Sequence, residues 1–135
     1  MKKLFSTKYS ANAISFSLLL LRTTMGGLML PFGYQKLMTF TATSSGFSDP
    51  FHIGGAASLS LTIFAELFCA AFVVLGLMTR LACIPLIIAM SVVVFYANHG
   101  EIFGDGQRGA LFLCGFTVLL FTGPGKISFD KLIGK

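Results

Sequence analysis

Residues 57 to 78 read ASLSLTIFAELFCAAFVVLGLM, and Glu66 is the one charged side chain among these 22 positions. A helix needs about 20 predominantly apolar residues to cross a bilayer, so this stretch predicts a transmembrane helix. A carboxylate near the middle of such a helix costs roughly 2.5–3.5 kcal/mol on insertion scales. Glu66 therefore needs a polar partner or a functional role inside the membrane.

The composition of the whole chain supports the membrane interpretation. Its 135 residues are 55% hydrophobic and 11% charged, and the mean hydropathy is +0.84. Soluble domains carry about 25% charged residues, so this chain has too few polar side chains to cover a water-soluble fold. The length fits a single domain, which we predict to span residues 1–135.

The net charge of +5 raises the question of nucleic acid as a partner. The basic residues outside the apolar runs stand next to the ends of those runs: Lys2, Lys3, Lys8, Arg80, Lys126, Lys131 and Lys135. This pattern is typical of anchors beside a membrane and forms no continuous basic face, so we expect no nucleic-acid partner.

Four apolar runs predict an all-α integral membrane four-helix bundle. They cover residues 13–38, 57–78, 81–97 and 108–122, with a tight turn expected at Thr79–Arg80. We expect the first run to remain as a helix rather than be cleaved as a signal peptide, since it exceeds an h-region of roughly 7–15 residues. An even number of spans returns the chain to one side, and the basic tails predict that both termini are cytoplasmic.

A line of residues at helical spacing marks one face of the first predicted helix. This face reads Arg22, Gly26, Met29, Gly33 and Lys36. Counting from the helix ends places Arg22 and Glu66 at similar depth, so a direct or water-bridged ion pair between them is geometrically open. With Lys36 on the same face, we expect Glu66 to help balance both cations, Arg22 and Lys36. The set fits a ligand site, a structural pair that fixes helix register, or a proton relay.

The other reactive side chains predict no metal site and no disulfide framework. Cys69, Cys83 and Cys114 all lie in apolar stretches without a CxxC pair, so we interpret them as small hydrophobic residues. His52 and His99 fall in the connections between runs, where solvated side chains are expected. The chain contains no nucleotide-binding or hydrolytic motif, so it has no self-contained catalytic centre.

Several short motifs, in this order and spacing, resemble the DoxX family of small four-helix membrane proteins. They are Arg22, Gly33 and Lys36 in FGYQKL, Pro50, Ala65–Glu66, GLMTRLA at 76–82, Met90, and GPGKISFD at 123–130. Two positions depart from the family pattern. Phe32 stands where the family typically has a histidine, and Gln107–Arg108 stands where it often has a glutamate.

The resemblance implies a bacterial inner-membrane protein associated with a quinone-linked redox system. We therefore predict a quinone- or lipid-binding subunit of an oxidoreductase, with no intrinsic cofactor and a bound quinone as the candidate. The expected contacts to the ligand come from one intramembrane group: Arg22, Lys36, Glu66, Gly33 and Met29. The expected partners are the bilayer and either a redox protein or a second copy of the chain. A structural subunit and a small transporter remain the alternatives.

Overall fold

The computed structural model describes residues 6–43, 46, 49, 52–104 and 106–133, and the regular elements among them are all helical. The helices are α1 (Ala11–Met38), α2 (Phe40–Thr43), α3 (Gly55–Leu75), α4 (Thr79–Ser91, continued by Val92–Ala97), α5 (Gln107–Thr122) and α6 (Phe129–Leu132). The predictions on Lys2, Lys3, Pro50 and Lys135 fall outside the described residues.

Three of these helices are long and apolar enough to cross a membrane. They are α1, α3 and α4, while α5 is a shorter apolar helix of 16 residues, about 24 Å at 1.5 Å per residue. Less than half of each spanning window is buried inside the protein. Large apolar side chains such as Leu20, Phe68 and Phe121 therefore face outward, which suits contact with lipid and not with water.

The ends of α3 are set by local chemistry. Asp49 accepts hydrogen bonds from the backbone N–H groups of Ile53 and Gly54 and from the Ser58 hydroxyl, at 2.8–2.9 Å, and so ties the residues just before the helix to its first turn. Desolvation acts to raise the pKa of Asp49, but these hydrogen bonds and the nearby His52 outweigh it, and the net pKa is lowered.

A left-handed glycine ends α3 earlier than the sequence predicted. Gly76 has φ +73°, which side chains with a Cβ rarely adopt, so the helix stops at Leu75. The reversal therefore uses residues 76–78, and the expected turn residues Thr79 and Arg80 already lie in the first turn of α4. The predicted turn at Thr79–Arg80 was wrong by about three residues.

The four long helices form an up-and-down bundle. Each packs against the next in the chain, and α5 closes the bundle against α1. Buried residues from all four helices form the core: Met29, Ala65, Cys69, Val73, Cys83, Leu86, Met90, Phe112, Phe116 and Leu119. We call the end that holds residues 76–78 and 123–133 the turn end, and the opposite end, with the two longer connections, the loop end.

Two helices contain π-helical turns, in which the backbone hydrogen bonds are widened by one residue. The first is Phe64–Cys69 in the middle of α3, and the second is Val92–Ala97 at the loop end of α4. Such turns bulge the helix and are frequent at functional sites. Glu66 lies in the first of them, so its backbone is displaced from regular helical geometry at the position of the buried charge.

Candidate functional site

The predicted polar face of α1 is directed into the bundle. Arg22, Gly26, Met29 and Gly33 are all buried, and the Lys36 side chain is 30% exposed. The 3.6-residue period of the sequence thus identified the correct face. Which residues on that face meet Glu66 depends on how α1 is placed lengthwise along α3.

Gly33 sets that placement by bringing two backbones into contact. A Cβ at Gly33 would lie 2.9 Å from the carbonyl carbon of Glu66 and the amide nitrogen of Leu67. These are main-chain atoms of the π-helical turn in α3, and they have no room to move aside. The missing side chain of Gly33 therefore allows α1 to approach the turn that carries Glu66.

Lys36 is the partner of Glu66. Its Nζ donates a hydrogen bond to Oε1 of Glu66 at 2.8 Å, and this is the one salt bridge among the described residues. The Glu66 side chain is 2% exposed, so the carboxylate is held away from the surrounding medium. Because Lys36 lies about one turn beyond Gly33, the close contact at Gly33 positions the ammonium group over the carboxylate.

The ion pair forms part of the wall of an open pocket of about 660 Å³. Apolar side chains from three helices line much of the rest, among them Met29, Phe32, Met90, Val93, Leu111 and Phe112. Phe32 packs edge-on against Phe112 with ring centroids 6.3 Å apart. A pocket that combines apolar side chains with convergent polar groups has the features of a small-molecule site.

Arg108 is a second cation at this pocket, and the sequence analysis did not include it among the site residues. Its guanidinium carbon lies 5.2 Å from the centroid of the Phe32 ring, while Lys36 Nζ lies 5.8 Å from the same centroid. Phe32 thus contacts both cations through its ring. The order of the helices could have identified Arg108, because in an up-and-down bundle the end of α1 and the start of α5 both lie at the loop end.

Arg22 does not pair with Glu66, so that prediction was wrong. The Arg22 side chain donates from Nη1 to the carbonyl oxygen of Pro124 at 2.6 Å, and the residue is 2% exposed. Arg22 precedes Gly33 by 11 residues, which is about 16 Å along a helix. With Gly33 against Glu66, Arg22 falls beside Gly76 at the turn end instead.

The C-terminal segment explains why the depth of Arg22 was misjudged. Residues 123–133 fold back over the turn end, where Asp130 accepts hydrogen bonds from Met78 N and Thr79 N and donates its own N–H to Gly76 O. Asp130 also attracts the Arg22 guanidinium electrostatically. The segment therefore covers the first turns of α1, which extend beyond the end of α3.

The remaining predicted groups lie apart from the pocket. Cys69 and Cys83 are buried free thiols, and Cys114 is exposed. Within residues 6–43, 46, 49, 52–104 and 106–133, no three His, Cys, Asp or Glu side chains converge as metal ligands. The structure thus brings Lys36, Glu66, Gly33 and Met29 together and leaves Arg22 at the other end of the bundle.

Comparison with known proteins places this arrangement in a family. The DoxX family model matches residues 17–99, which hold the faces of α1 and α3 that meet at Gly33. The chain is also 28% identical over 134 residues to an uncharacterized membrane protein of Mycobacterium tuberculosis, covering 88% of this chain and 82% of that protein. No solved structure gives a significant match. The chain therefore belongs to the DoxX family of membrane proteins.

Proposed function

We propose that this single-domain membrane protein binds the head of a quinone or lipid in the pocket beside the Lys36–Glu66 ion pair, as a subunit of a membrane redox system. One observation carries the proposal: a buried carboxylate, paired at 2.8 Å, stands in the wall of a 660 Å³ pocket that apolar side chains from three helices also line. Intramembrane charges are costly, so their position beside a cavity favours a role in binding.

The side chains of the pocket fit the chemistry of a quinone head. Lys36 and Arg108 carry N–H donors suited to carbonyl oxygens, and Phe32 and Phe112 offer aromatic surface to a flat ring. The isoprenoid or acyl tail would follow the apolar lining past Leu111 toward the lipid. A bound quinone would supply the redox chemistry, because the chain has no catalytic motif of its own.

Binding can be tested on the purified protein in detergent and in nanodiscs. We expect lipid extraction and mass spectrometry to recover a quinone or a defined lipid from the wild-type chain. Leu111→Trp should reduce that recovery, because Leu111 is 63% exposed at the pocket and a larger side chain there narrows it without touching the ion pair. Lys126→Gln, at the turn end, is the control and should retain the ligand.

The alternative role, a purely structural subunit, makes a different prediction for the same samples. It is favoured by the Lys36–Glu66 pair and the Arg22–Pro124 contact, which tie helices to each other and to the C-terminal segment. On that reading Glu66→Gln lowers stability and partner recovery together, while wild-type protein retains no defined ligand. Equal ligand recovery from wild type and Leu111→Trp would overturn the binding proposal.

We further propose that the protein lies in a bacterial inner membrane with both termini in the cytoplasm. Lys8, Arg80, Lys126 and Lys131 collect at the turn end, which supports that end as the cytoplasmic one. A protease site inserted at Gly46, in the first connection of the loop end, should be cleaved by protease added to spheroplasts, in which the outer membrane is opened and the inner membrane is intact. Cleavage there only after the inner membrane is lysed would reverse the orientation.

A further inference from the structure

We infer that the headgroup held in this pocket is an anion, a phosphate or carboxylate carried on an apolar chain, and that Arg108 selects it. This inference rests on the proposed binding function and narrows its ligand from lipophilic molecules in general to anionic amphiphiles. It starts from the charges of the pocket. Among the described residues, Lys36 and Arg108 line the pocket as two cations and Glu66 lines it as the one acid.

The two cations are not equivalent. Lys36 is already bound to Glu66 at 2.8 Å, so their charges offset each other within the wall. Among the described residues, Arg108 has no hydrogen-bond or ion-pair partner, and it contacts the face of the Phe32 ring. The described lining of the pocket therefore carries one positive charge without a counterion, which a bound anion would balance.

The geometry around Arg108 suits an oxyanion. A guanidinium presents paired N–H donors that match two oxygens of a phosphate or carboxylate, which a neutral quinone carbonyl does not offer. The Phe32 ring lies on one side of the Arg108 guanidinium, and we assign the N–H donors of Arg108 to the ligand. Arg108 is also the second residue of α5, whose N-terminus adds partial positive charge. The lining past Leu111 and Phe112 is apolar, as an attached acyl chain requires.

The test measures retention of defined lipids by native mass spectrometry and thermal stability in matched nanodiscs. Wild type, Arg108→Gln, Arg108→Lys and the control Lys126→Gln are compared in phosphatidylglycerol and in phosphatidylcholine. Palmitate, inorganic phosphate and a neutral short-chain quinone are added separately. Arg108 is exposed, and no described side chain hydrogen-bonds to it, so Arg108→Gln is expected to fold, which its unfolding temperature checks.

We expect wild type and Lys126→Gln to retain phosphatidylglycerol or palmitate over phosphatidylcholine, and Arg108→Gln to lose about tenfold in affinity. Arg108→Lys should keep part of the preference because it keeps the charge. If inorganic phosphate binds as tightly as the lipid, the ligand that Arg108 selects is a free anion and not a lipid headgroup. Equal retention of both lipids by wild type would overturn the inference.

One outcome separates this inference from the proposed function. Suppose that the neutral quinone binds wild type and Arg108→Gln equally and that Leu111→Trp abolishes this binding. The pocket is then a ligand site, and the prediction of an anionic headgroup is wrong. If no added molecule binds wild type, the inference and the proposed function both fail.

Discussion

Replacing Gly33 with alanine tests whether the contact between α1 and α3 sets the candidate site. The new Cβ would lie 2.9 Å from two main-chain atoms of α3 and 3.1 Å from the Cβ of Glu66. Contacts below 3.0 Å require a shift, and here the neighbours are backbone and not the end of a flexible side chain. Overpacking of this kind costs typically 1–3 kcal/mol. We expect Gly33→Ala to lower the free energy of unfolding by about that amount.

Gly27 provides the matched control in the same helix. A Cβ at Gly27 meets no atom within 4 Å, so Gly27→Ala adds only helix propensity, worth up to about 1 kcal/mol in favour of alanine. Unfolding of both variants in detergent, by heat or by added sodium dodecyl sulfate, gives the comparison. Similar stabilities for Gly33→Ala and Gly27→Ala would refute the close contact.

The same substitution has a second readout at the pocket. Lys36 follows Gly33 by about one helical turn, so moving α1 outward also lengthens the 2.8 Å contact between Lys36 and Glu66. Gly33→Ala should therefore weaken ligand retention, while Gly27→Ala should leave it unchanged. If Gly33→Ala is less stable but retains the ligand as wild type does, then Gly33 matters for helix packing and does not position the ion pair for binding.

Three further predictions concern the polar contacts. Lys36→Met should cost roughly 3 kcal/mol because it leaves Glu66 buried without its partner, and adding Glu66→Gln should recover part of the loss; strictly additive effects in the double-mutant cycle would argue against the pair. Arg22→Ala removes the charged hydrogen bond to Pro124, so stability should fall by about 1.5–3 kcal/mol and protease should cut residues 123–133 faster; unchanged cleavage would contradict this. The lowered pKa of Asp49 means that its hydrogen bonds stabilise the protein fully above the unfolded pKa, about 3.9, and that this stabilisation is lost as pH falls through the lower folded pKa. The gap in unfolding temperature between wild type and Asp49→Ala should thus narrow on acidification from about pH 5, and a constant gap would count against a stabilising role for these hydrogen bonds.

Much of the fold could be predicted because it depends on local pattern. Long apolar runs with few charges can satisfy their backbone groups in a membrane only as helices, so an all-helical fold with three to four candidate membrane spans followed from composition. The inward face of α1 followed from the helical period, since Arg22, Gly26, Met29 and Gly33 recur at that spacing and are buried. Neither result needed information about a second helix.

The polar site was predicted only in part because it depends on two helices at once. A helical period fixes which face points inward but leaves the lengthwise position of one helix against another open. Gly33 against the backbone of Glu66 fixes that position and selects Lys36, not Arg22, as the partner. Counting from helix ends failed for Arg22 because the first turns of α1 extend under the C-terminal segment.

The sequence by itself determined that this is a helical membrane protein of the DoxX family with a buried acid in α3 and a polar inward face on α1. Only the tertiary structure decided that Lys36 neutralises Glu66, that Arg108 joins them across Phe32, and that Arg22 holds the C-terminal segment. The physical reason is that residues distant in sequence meet through backbone approach and chain reversal. Those contacts depend on how all four helices pack together, and the residue pattern of a single helix does not specify that packing.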